Sequence, residues 1–229
     1  MDKMETLIKL GRELGIPIPI AYVGYRVTDK KGRILSNQYG PGHSWTRNYY
    51  NFIFGSGSDG HGDGGSTFGA GLMSGKNTAG SIYAGTVYTA TRGNYTQLGF
   101  GINNNTTTND YGIVVGTNDT AFDFNQYALA AIIASGNAAG QLAYQAQLAS
   151  ALAYTAGTKT WKTTHSRLFN NNSGALITVK ESALYWKCQM FTSNFASLMF
   201  ERNVPETPVD VAIGAQLTVT YEISMVFPD

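Results

Sequence analysis

The densest chemistry in the chain lies between Phe54 and Gly71, in "FGSGSDGHGDGGSTFGAG". Asp59, His61 and Asp63 alternate there, two carboxylates around an imidazole, a set that could hold a weakly bound cation. Each stronger reading needs a partner at a fixed spacing. A calcium hand beginning at Asp59 requires an acid at its twelfth position, which is Ala70. A phosphate loop requires G-x-x-x-x-G-K-[ST]. Here Gly75 and Lys76 are followed by Asn77, and Ala70 stands where the first glycine belongs. A nucleophile elbow requires G-x-S-x-G, and Ser56 lies between Gly55 and Gly57 without that frame. The other histidines, His43 and His165, carry no H-E-x-x-H pattern. A glycosidase needs two facing carboxylates, and nothing singles out a pair among the 15 acids. The chain therefore reads as a non-enzyme without a cofactor. What the loop offers instead is glycine, which lets a backbone approach a neighbour closely. Gly57, Gly60 and Gly62 are candidate contact positions for another protein chain. Asp59, His61 and Asp63 remain weak candidate metal ligands.

The elements around the loop divide into a short helical arm and a long β region. In "DKMETLIKLGREL", Met4, Leu7, Ile8, Leu10 and Leu14 fall near one helical face. Gly15, Pro17 and Pro19 stop the helix, and "GIPIPI" is a stiff extended spacer. Either this helix folds back on its own domain or it is an arm that docks on a neighbouring subunit. Leu7, Ile8 and Leu14 are its candidate contact residues. The expected organisation is an arm and spacer over residues 1–19, then one domain over 20–229 with the Gly-rich loop at 55–75.

Residues 20–28 and 33–39 alternate as strands around "DKKG", where Gly32 supplies a positive φ. "GPGHSWTRNYYNFIF" changes period. Ser44 can cap a helix over 44–54 that gathers Trp45, Tyr49, Phe52 and Ile53 on one face. Strand-like pieces fill 81–128. The Ala-rich stretch that follows fits helix or strand. It is read as a strand with Leu142, Tyr144, Ala146 and Leu148 on one face. "TKTWKTTHSRLF", "NNNSG" and "ALITVKESALYWKC" read as a hairpin. "QLTVTYEISMVF" places Leu217, Val219, Tyr221, Ile223 and Met225 on one face, with polar residues on the other. That alternation belongs to an antiparallel sheet with one buried and one wet face. The fold class is mainly β: an antiparallel β-sandwich of jelly-roll or Ig-like type, with a short N-terminal helix and one small packed helix.

Composition narrows the partners. Only 14% of the 229 residues are charged, against about 25% in an ordinary soluble domain. Net charge is +1 without a basic stripe, so nucleic acid is not an expected partner. No run approaches the ~20 apolar residues of a membrane helix, and the first residues do not read as a secretory signal. Synthesis as a soluble protein in a cytoplasm is expected. Cys188 is the single cysteine. It excludes an internal disulfide and, in the apolar run "ALYWKCQM", reads as a buried inert thiol. Tyrosine beside asparagine, as in "NYYNF" and "GNYTQ", suits protein contacts and sugars alike, so a glycan partner stays open.

Two groups of phrases resemble uncharacterised virion structural proteins of tailed bacteriophages. One is "GHSWTRNYYNFIF". The other is the series "YGIVVGTNDTAFDFNQYALA", "GQLAY", "NNNSGALITVKESALY" and "VDVAIGAQLTVTYEISMVFP". The likeness covers roughly residues 20–54 and 111–228. It implies a β-rich accessory component of the virion, on capsid or tail. Such a protein binds copies of itself and other virion proteins, is assembled in the host cytoplasm, and has no catalytic residues to carry over. A trimer or pentamer set by particle symmetry would be the expected homo-oligomer. The alternative is a carbohydrate-binding adhesion module of a phage fibre.

Overall fold

The computed structural model describes residues 3–42, 45–57, 74–84, 87–88, 102, 106–190 and 194–227. In chain order the elements begin with α1 (Lys3–Leu14), β1 (Ile18–Thr28), β2 (Ile34–Pro41) and α2 (Arg47–Gly57). Short strands follow: β3 (Ser74–Lys76), β4 (Ile82–Ala84), β5 (Val87–Tyr88), β6 (Gly112–Gly116), β7 (Ala143–Tyr144) and β8 (Ala151–Thr155). The last set is β9 (Thr160–Asn170), β10 (Ile177–Val179), β11 (Glu181–Met190), β12 (Asn194–Asn203), β13 (Val209–Val211) and β14 (Gln216–Val226). The fold is mainly β and antiparallel, as the alternating segments predict.

β14 is the centre of the larger sheet. It pairs along its full length with β1 on one side and β9 on the other. β2 closes one edge beside β1. At the opposite edge β7 and β8 both pair with β9, at its two ends. Leu217, Val219 and Tyr221 are fully buried, while Ile223 and Met225 on the same side are only partly covered. The β1–β2 turn follows the local chemistry. The Asp29 carboxylate accepts from the Lys31 and Arg33 amides at 2.8 and 2.9 Å, and Gly32 takes φ +78°.

The second sheet is built on β11, with β12 on one edge and β5 and β6 on the other. One hydrophobic cluster joins the two sheets. It takes Val23, Tyr25, Val27, Phe169, Leu217 and Tyr221 from the larger, and Ile113, Val115, Leu184 and Met199 from the smaller. Burying each such side chain stabilises the fold by about 1.5–3 kcal/mol. A second cluster holds Cys188, Ala196, Leu198 and Phe200, with Tyr49, Phe52 and Trp186 packed against it.

α2 is tied down by polar and aromatic contacts. The Thr46 hydroxyl donates to Met199 O at 2.6 Å, and Asn48 trades two hydrogen bonds with the Lys76 backbone at 2.8 and 2.9 Å. Trp45 stacks on Tyr49 at 4.2 Å, and Phe52 lies 5.1 Å from Phe200. The helix starts at Arg47 rather than at residue 44, so Trp45 packs from the segment before it. Ser44 and His43 lie outside the described residues. Ile53, expected on the packed face, is about half exposed.

Three sequence readings change. The expected hairpin around "NNNSG" does not form. β9 belongs to the larger sheet, whereas β10 pairs with β13 and β11 lies in the smaller sheet. The turn chemistry is present, with Asn171 Nδ2 donating to Ala175 O and Val211 O at 2.7 Å each and Gly174 at φ +77°. Its outcome is a crossing between sheets. Second, the single face over 142–148 ends at Tyr144: Ala146 and Leu148 are exposed and Gln147 turns inward. Gln147 Oε1 accepts the Ile113 amide at 3.2 Å, a bond that a regular strand would point away. Third, residues 117–128 form no strand after the fully buried β6.

Candidate functional site

Two surface regions and one buried network carry the chemistry. The first region is an apolar end. The register puts Ile18, Val226, Thr160 and Thr155 in one row across the larger sheet. α1 folds against the start of β1 through Gly11, which is buried, and whose Ile16 and Ile18 neighbours leave no room for a Cβ. The apolar residues beside it stay uncovered: Leu7 is 45% exposed, Leu10 45% and Leu14 61%. Ile8 is half-buried. At the same end all five residues of β8 are exposed, with Leu152 at 70%. Tyr154 and Trp161 pack on each other at 4.9 Å and are also exposed. A cleft of about 490 Å³ opens beside them, lined by Trp45, Tyr49, Ile53, Leu152, His165 and Trp186 among others.

His165 closes one side of that cleft. Its Nδ1 lies 2.7 Å from Ser150 Oγ and its Nε2 3.2 Å from Thr163 Oγ1. The second ring nitrogen therefore meets a hydroxyl, where a catalytic triad has a carboxylate. Burial holds the imidazole below its ordinary pKa, favouring the neutral form.

The second region is a polar cleft of about 560 Å³ at the opposite, β2 edge of the sheet. One wall is β2, from Asn37 to Pro41; the other is the segment from Asn203 to Thr207. Gln38 Nε2 donates to Thr207 O at 3.1 Å and ties the walls together. The floor includes Tyr25 and Asn203, both buried. Asn203 Nδ2 donates to Tyr25 OH at 2.9 Å. Tyr25 OH lies 2.7 Å from Ser182 Oγ, which lies 2.7 Å from Tyr221 OH. Burial raises both tyrosine hydroxyls above their ordinary pKa, with the Glu201 carboxylate adding to the effect.

Buried charge elsewhere is spent on structure. Arg202 and Glu181 are fully buried and pair at 2.7 Å, with Arg202 Nη1 also donating to Thr120 O at 2.8 Å. Arg167 directs its donors to the carbonyls of Gln145, Tyr111, Ile113, Thr106 and Thr108 at 2.6–3.2 Å. It lies over the Tyr144 ring at 4.8 Å. Desolvation lowers its pKa to about 10. Cys188 is buried, and burial pushes its thiol well above the usual range.

The candidate residues of the sequence are only partly placed. Gly57 is the last residue of α2. Gly60, Gly62, Asp59, His61 and Asp63 lie outside the described residues. Among the described residues no group of three or more His, Cys, Asp or Glu could hold a metal ion, and no helix is long and apolar enough to cross a membrane. Sequence reasoning missed the polar cleft. Its signal was there: Ser36, Gln38 and Gly40 occupy alternate positions of β2 opposite Val27, Tyr25 and Val23. A strand whose inward positions are polar or small is not covering a core. No family model, no curated protein and no solved structure matches the chain.

Proposed function

We propose that the chain is a structural component of a tailed-phage virion, an accessory protein of capsid or tail that binds copies of itself and other virion proteins. The observation that carries this reading is the uncovered apolar end. Leu7, Leu10 and Leu14 form a stripe on α1 that its own domain leaves half in water. Contiguous exposed apolar surface marks interaction sites. At the same end β8 has a strand neighbour on one side only, among the described residues, and carries no charge. Charged side chains are a common guard on a sheet edge against pairing with another chain. The low overall charge fits a surface that spends its working life against protein. The placement in a phage particle rests on the sequence phrases that resemble virion proteins.

Purified particles of the phage that encodes the chain provide the test. Mass spectrometry should find the protein at a fixed ratio to the major capsid or tail proteins, and gold-labelled antibody should decorate one region of the particle. Its absence from particles that are otherwise complete would overturn the reading.

A further inference from the structure

The polar cleft at the β2 edge shares no lining residue with the apolar end. We propose that this cleft binds a neutral saccharide. Its volume of about 560 Å³ falls within the ~300–1,000 Å³ of small-molecule sites. Its chemistry is amide and hydroxyl: the amides of Gln38 and Asn203, and the hydroxyls of Tyr25 and Thr207. Each amide presents both donors and acceptors, which is what a ligand covered in hydroxyl groups needs. Val23, Pro41, Val204 and Pro205 supply apolar patches between them, suited to the C–H faces of a sugar ring.

Charge narrows the ligand further. Among the described residues Glu206 is the one charged residue in the lining, which holds no lysine or arginine. An anion would meet that carboxylate without compensation, and a purely apolar ligand would strip water from the amides without replacing it. A neutral polyhydroxyl ligand incurs neither cost.

The site is also held in shape before any ligand arrives. Asn203 is 5% exposed and is fixed by Tyr25, which is fixed in turn by Ser182. The Gln38–Thr207 bond holds the walls. Fixed groups cost less to order on binding. Gly40, opposite Val23, leaves its part of the β2 wall bare. A Cβ built on it meets nothing within 4 Å, and its φ lies outside the left-handed region.

That bare position gives the test. The full-length protein is titrated by calorimetry with maltose, cellobiose, lactose and chitobiose, and with sialyllactose as the acidic comparison. At least one neutral sugar should saturate at millimolar concentration or below, and sialyllactose should bind no better than lactose. Gly40→Trp fills the cleft and should weaken that binding about tenfold or more while the melting temperature stays unchanged. Should Gly40→Trp melt early, Gln38→Ala, on the same inward side of β2 as Gly40, should still weaken the same binding. Failure of every neutral sugar to saturate, equal binding by both variants, or preference for the acidic sugar would overturn the proposal. The particle test above is independent of these results, because it reads the presence of the protein in the particle and not its binding of sugar.

Discussion

His165 shows how one residue's surroundings set a measurable property. A Ser–His contact of 2.7 Å invites a catalytic reading, yet the ring's other nitrogen faces Thr163 and its pKa shift comes from burial alone. The fold holds the neutral imidazole, so the folded state takes up a proton less readily than the unfolded chain. The corresponding stability is present above the unfolded pKa of about 6.5 and is lost as pH falls below it toward the lower folded pKa. Urea unfolding of the native chain and of His165→Gln, compared at about pH 7.5 and about pH 5, isolates this contribution from that of the carboxylates. The native chain should lose more stability than the variant on acidification. Equal losses would mean that the ring is solvated or charged in the fold. Nothing in the sequence pointed to this environment, because it comes from Ser150, fifteen residues away on the approach to β8.

At the level of elements, legibility followed periodicity. α1, the β1–β2 hairpin and β14 were readable because one pattern runs through each without interruption. β14 has the strongest pattern, and it proved to be the central strand, with Leu217, Val219 and Tyr221 buried. What failed was inference about partners. Strong turn residues at 171–174 predicted that neighbouring strands would pair, but pairing is decided by which faces are apolar across the whole chain. The segment from β10 onward found better partners in β13, β12 and β6. The polar cleft was unread for a similar reason, since its two walls are far apart in sequence and meet only in the fold. The assignment of β14 can be tested at Leu217, whose cross-strand neighbours are Val27 and Phe169. Val219 is less decisive, since Arg167 lies opposite it and could answer a new carboxylate. Leu217→Asp leaves a buried charge with no cation beside it and should cost roughly 4 kcal/mol or more. A urea midpoint close to that of the native chain would contradict the burial of β14 between β1 and β9.

The whole molecule places its two unusual surfaces apart: a polar cleft at one edge, and an apolar end where α1, β8 and the end of β14 converge. The end is the feature that a solitary chain explains worst. α1 touches its own domain at Gly11 and leaves three leucines about half in water. Because β1 is already paired at Ile18, residues 1–16 can be removed without cutting the sheet. Two interpretations then separate. If α1 only shields the start of β1, its loss should lower stability and leave the mass in solution unchanged. If α1 docks on a second copy, its loss should abolish self-association and leave the melting temperature of the β domain nearly constant. The second outcome is expected. Leu7→Gln with Leu14→Gln keeps the helix while removing the stripe. Completing the burial of two half-exposed leucines contributes roughly 2 kcal/mol, so this pair should weaken association about thirtyfold. Light scattering across a dilution series reads both variants, with the native chain at a multiple of its monomer mass and the truncated one at its own monomer mass. An unchanged mass and dilution curve for both variants would assign α1 to the local core and remove the main support for assembly through this end.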